Sequence, residues 1–384
     1  MRRTLLTMLL LGAALPLAGC GGEAPEGSET AEREADAPGA EATTIDLDAA
    51  PPPAPPPADE TRVAIGDVLG QFGGTVHALT VWEHPDTPYL GAVIAANGPA
   101  GLSIVPVDRE VPPRTVEGVF DGGVAVGYLA DGTSLLAASS GDEVVVYDLG
   151  TDGVPTELSR IEGSAEEICM SGPLVALLGD PLRITQAPNG RLVLTPPDVD
   201  VAACTSGADT VSLFGTDGAQ SVLESFSGTQ VRRTELTSAQ APAAQDRAAI
   251  FGGGTATAQI EAERQVLIHA PGTAQLVVTW DEGRAEGSAG AVSLRQGNVA
   301  DDAPIRLVAA GSGNFGGVYR DGVVAVLDME NRLKLIPWSS LARAVGAPVE
   351  STSLRPAPPE AEDAGFTPRP PALSLPVPAD ASPR

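Results

Sequence analysis

Aromatic side chains are scarce in this chain: Phe, Trp and Tyr together make up 4% of 384 residues. Glycine (44) and proline (35) are abundant instead. That balance argues against a helical protein and for many short strands joined by tight turns. Positive charge is scarce as well. Lys334 is the only lysine, and the formal net charge is −27. About −17 of it falls on residues 61–347, so the part that can fold is itself acidic. A surface of that sign repels nucleic acid and anionic lipid; it favours cations or simply keeps the protein in solution. Beyond the N-terminus no apolar run is long enough to span a bilayer. Cysteine and histidine number three each, with no zinc-type spacing.

What is present begins with a leader. Arg2 and Arg3 precede an apolar run at 5–15, too short for a mature span, and then comes Leu17-Ala18-Gly19-Cys20. The stretch resembles a bacterial lipoprotein signal peptide (1–19). The resemblance implies cleavage before Cys20, lipid on that thiol and an address in the cell envelope. Gly21 follows rather than Asp, which favours the outer membrane over the inner, with the domain on the periplasm side as one option. Residues 20–60 are rich in Ala, Glu and Pro and end near a run of prolines at 51–57. They cannot build a core and read as a disordered tether, about 35 Å long as a coil and about 120 Å when extended. Residues 348–384 have the same character and read as a disordered Pro-rich tail.

Between these ends one unit recurs: an apolar strand, a short turn with Gly, Asn or Asp, and a second apolar strand. It occurs at 90–108, 133–149, 173–185, 209–226, 264–282 and 322–338. The starts lie about 36 to 58 residues apart, the spacing of four-stranded propeller blades, which bury their faces only against neighbours in a closed ring. The fold class is therefore all-β, a six-bladed β-propeller over 61–347. Residues 63–68 are the candidate strand that closes the ring on the last blade, and 231–259 read as an Ala/Thr/Gly-rich insertion. A helix turn or two is expected at 339–345, with Ser339 or Ser340 as N-cap. Cys169 and Cys204 fall in equivalent places in successive repeats, so they are a disulfide candidate; two buried free thiols are the other reading.

Three stretches carry a family resemblance. They are Val81-Trp82-Glu83-His84-Pro85 with Asn97 and Gly101-Leu102, Ala203-Cys204 with the hairpin at 211–218, and Val323 to Asp328 with Leu333-Lys334-Leu335-Ile336-Pro337-Trp338. Together they resemble the β-propeller phytases, over about three-quarters of the chain. The resemblance implies a hydrolase that removes phosphate from phytate, with several calcium ions as cofactor held by six to eight oxygens each. Most of the residues that such chemistry needs are replaced. His77-Ala78 stand where the family has paired Asp, Gly98-Pro99 where it has two Lys, Ala202 where it has Glu, and Gly122-Gly123 where it has Asn-Asn.

The candidate metal ligands that remain are Asp217, Glu261 and Asp328, with solvated turn acids as the plainer reading. Glu166 and Glu167 are candidates to face the channel, and His77 is a candidate rim residue. Lys334, Trp82 and Trp338 read as framework. Two functions follow. One is an envelope-anchored, catalytically degenerate propeller that serves as a binding or scaffold module. The other is a calcium-dependent phytase with a rearranged site. The expected partners are the lipid anchor and an envelope protein or phosphorylated small molecule, with no nucleic acid, and the chain is expected to be a monomer.

Overall fold

The computed structural model describes residues 61–194, 201–215, 220–226, 230–236, 256–280 and 288–356. The leader with Cys20, the tether, most of the tail, and Asp217 lie outside the described residues. Six sheets, antiparallel apart from one added strand in the fifth, are present among the described residues and are numbered here as blades 1–6 in chain order from Ala78. Their innermost strands are Ala78–Trp82, Val124–Tyr128, Glu167–Ser171, Val201–Ser206, Ala256–Glu261 and Ile305–Gly311. Each packs on the next, and the sixth packs on the first, so the ring closes as a six-bladed β-propeller.

All six sequence repeats fall on the second and third strands of a blade. In blade 1 these are Ala92–Ala96 and Leu102–Pro106; in blade 6 they are Val323–Asp328 and Arg332–Pro337. The reason is burial. A second strand is covered on both faces by the neighbouring blades, and Ala92–Ala96, Leu174–Leu178 and Val323–Asp328 are buried at every residue. Such strands read as unbroken apolar runs. Outer strands alternate or turn polar, as Thr156–Glu162 does with one buried residue in seven. The supposed insertion at 231–259 is the same effect. It contains most of the outermost strand of blade 4, Gln230–Leu236, and the start of the innermost strand of blade 5, Ala256–Glu261, whose polar and Ala/Thr-rich composition hid them.

Ring closure differs from the sequence expectation in one respect. The stretch 63–68 does not act as one strand. Asp67–Gln71 forms the outermost strand of blade 6, antiparallel to Arg332–Pro337. Arg62–Ala64 lies parallel to Ser288–Gln296 on blade 5. The first described segment thus ties two adjacent blades. The helix α1 (Trp338–Val345) follows blade 6 with Pro337 at its N-cap position and no side-chain cap from either serine. Gly346 ends it in the left-handed region at φ 79°. The described chain also passes the expected boundary at 347: residues 351–355 make contacts across one end of the ring.

Candidate functional site

The six innermost strands run the same way around a central channel. Met170 donates its N–H to Ser206 Oγ (3.0 Å) and Glu261 donates its own to Ser312 Oγ (2.7 Å), each across one blade boundary near the strand ends. The strands enclose a cavity of about 340 Å³. Its wall is mostly small. At Gly123 an added Cβ would come within 2.6 Å of the Ile168 backbone nitrogen, so Gly122-Gly123 stand where two strands approach too closely for a side chain.

The near mouth, at the strand starts, presents His77, Glu166 and Arg306 among its cavity-lining residues. Arg306 donates to the Val76 carbonyl (2.6 Å) and to Asn331 Oδ1 (2.7 Å), so its guanidinium is held at the rim by blade 6 and the chain before blade 1. Partway along the wall, Cys169 of blade 3 and Cys204 of blade 4 are joined by a disulfide. Glu167 lies beside it, and its Oε1 accepts the Cys204 N–H at 3.2 Å. Burial pushes the Glu167 carboxyl up to about 7, with the Cys204 N–H pulling the other way.

The far mouth, at the strand ends, is crossed by residues 351–356, a strap that sequence composition assigned to the tail. Ser351 bridges to Ala262 and accepts the Gly313 N–H, and the Thr352 N–H donates to the Glu261 carbonyl at 2.7 Å. Leu354 lines the cavity and packs on the core between blades 1 and 2. Arg355 donates to the carbonyls of Gly132 and Glu83 and to Ser134 Oγ, and lies 4.7 Å from the Tyr128 ring centroid. Ser353 Oγ donates to Glu83 Oε2 at 2.6 Å. Burial raises the Glu83 carboxyl to about 6, against the lowering pull of Ser353 and Arg355. Of this group, Glu83 stood in a stretch that carried the family resemblance and Glu261 was a candidate metal ligand. Arg355 carried no signal, because a Pro-rich segment gives no strand or helix period.

The sequence-predicted metal ligands that are described do not converge. Glu261 sits at the far mouth, where its side chain accepts Gln259 Nε2 at 2.9 Å. Asp328 ends the second strand of blade 6, level with Ile305 where an innermost strand begins. It is fully buried and ion-paired to Lys334 (2.7 Å) and Arg332 (2.7 Å), and Lys334 also contacts Asp301. Burial works against its charge, but hydrogen bonds from Lys334 and Arg332 outweigh that and hold its carboxyl below the usual range. The lone lysine is therefore the partner of a buried acid. Among the described residues, the carboxylate, thiol and imidazole atoms that gather within 4.8 Å of one another are those of Glu167, Cys169 and Cys204. Glu261 and Asp328 are not among them, and Asp217 lies outside the described residues.

No protein-family model matches the chain, and no curated protein does. Distant likenesses to solved propellers exist. The crystal structure of BBS1N in complex with ARL6DN is 13% identical at a TM-score of 0.41, over 68% of this chain and 79% of that one. The Myceliophteria thermophila Cps50 (Swd1) β-propeller domain is 9% identical at 0.42, over 71% and 99%. A chain of the Mitotic Checkpoint Complex is 11% identical at 0.43, over 73% and 97%. Likenesses this weak say nothing about what the present chain binds.

Proposed function

We propose that this chain is a binding or scaffold module of the cell envelope, held there by lipid on Cys20 and carried on the tether at 20–60. The observation that supports this reading is where the candidate acids and basic groups lie. A phosphate site built on several hard cations needs many oxygens turned to one place, with basic side chains beside them. Here Asp328 is bound up with Lys334, Glu261 lies at the far mouth, and Arg306 is held by Val76 and Asn331. The near mouth presents His77, Glu166 and Arg306 over a cavity of about 340 Å³, a surface suited to a docked loop or small molecule. The experiment is a calcium titration of the purified protein, following thermal stability and phosphate release from phytate. The expected result is no turnover and a melting temperature that calcium leaves unchanged. Calcium-dependent turnover with a large gain in stability would establish the phytase reading instead. For the anchor, radiolabelled palmitate should enter the wild-type protein in a bacterial host and not Cys20→Ala; equal labelling would remove it.

A further inference from the structure

One group in the channel wall has no part in that reading. Glu167 is drawn in beside the disulfide between blades 3 and 4, and among the described residues its hydrogen bond is to a backbone N–H and no cation pairs with it. A carboxyl drawn partly out of water with no cation beside it is unfavourable. Its oxygen and the two sulfurs lie within 4.8 Å of one another, and all three residues line the cavity. We propose that Cys169, Cys204 and Glu167 form a site for a thiophilic divalent cation of the zinc type when a dithiol reductant has opened the disulfide.

The step balances as follows. The dithiol passes two electrons and two protons to the disulfide and leaves as its own cyclic disulfide, so Cys169 and Cys204 become thiols. The cation then displaces one proton from each thiol and any proton on Glu167, and two thiolates and one carboxylate hold it. Zinc takes sulfur at about 2.3 Å and oxygen at about 2.0–2.2 Å, so tetrahedral donors lie about 3.3–3.8 Å apart. The two Cα atoms are 6.0 Å apart on neighbouring innermost strands, which leaves room for the parted thiolates. The fourth position faces the cavity and is filled by water. Thiolate donors select zinc-type ions over calcium or magnesium. Sequence spacing missed the group because its ligands come from two blades, 35 residues apart.

The test uses the full chain with Cys20→Ser, so that the only thiols are those of Cys169 and Cys204. The protein is reduced with dithiothreitol, desalted without oxygen and titrated with Co²⁺. Reduced protein should show a thiolate-to-cobalt charge-transfer band saturating at one ion per chain and bleached by Zn²⁺, and oxidised protein should show none. Glu167→Gln should weaken binding at least ~10-fold, as loss of a ligand does. X-ray absorption of the zinc-loaded Cys20→Ser protein should give two sulfur and two oxygen neighbours, a readout that does not depend on the Glu167 variant folding. Three results overturn the proposal: no band in folded protein with two titratable thiols, a zinc shell without two sulfurs, or loss of the far-UV signal of the sheets on reduction.

Discussion

Two acids show how much a residue's meaning depends on its surroundings. Asp328 looked like a turn acid open to calcium, yet it is fully buried against Lys334. Lys334→Met would leave the buried Asp328 with Arg332, a partly exposed side chain, as its remaining cation, so it should cost about 2–3 kcal/mol in urea unfolding at pH 7. Replacing both partners by apolar residues, as Asp328→Leu with Lys334→Met, should recover most of the loss; an equal loss in both variants would mean that the cost does not come from leaving Asp328 without Lys334. The Asp328 carboxyl is depressed in the folded state, so its contribution is present above the unfolded value and fades as pH falls through the folded one. Glu83 has the opposite sign. Its carboxyl is raised to about 6, so the unfolded chain ionises first as pH rises from about 4.5. Folding stability should therefore fall by about 1–2 kcal/mol between pH 4.5 and 6 and then level off, after allowance for partial exposure. Glu83→Gln should remove that slope; an unchanged stability–pH profile would place the titration elsewhere.

At the scale of elements, the strap is the part that sequence reasoning lost. Ser351, Thr352, Leu354 and Arg355 tie it to blades 1, 2, 5 and 6. Arg355→Ala removes three hydrogen bonds and a contact with the Tyr128 face, and should cost about 2–3 kcal/mol in thermal or urea unfolding. Ending the chain at Ala347 should cost more, and should make Trp82, whose Nε1 donates to the same Ser134 hydroxyl, easier to quench with acrylamide. A truncated protein with unaltered melting and quenching would show that the strap merely rests on the mouth. The middle strands were legible because they are covered on both faces and so carry unbroken apolar runs. The strap was not, because its hold comes from individual polar contacts with no period along the chain.

At the scale of the molecule, the ring is closed by residues far apart in sequence. Asp67–Gln71 supplies the outer strand of blade 6, and Tyr319 Oη donates to Asp67 Oδ2 at 2.7 Å. Deleting residues 61–72 would leave Arg332–Pro337 as an open edge, a template for pairing with other chains. The expected result is loss of a single cooperative calorimetric transition and aggregation on concentration. A deletion protein that stays monomeric and melts in one sharp step would show that blade 6 closes without its fourth strand.

The amino-acid sequence by itself determined the blade count, the hairpin at the heart of each blade and the acidic character of the folded part. Those properties follow from local composition: apolar runs, turn residues and charge are written along the chain. Only the tertiary structure decided that Asp328 is a buried ion-pair partner, that Glu167 and the Cys169–Cys204 pair meet in one wall, and that residues 351–356 close a mouth. Each of these depends on which blades lie side by side, and in a closed ring neighbouring side chains come from segments tens or hundreds of residues apart.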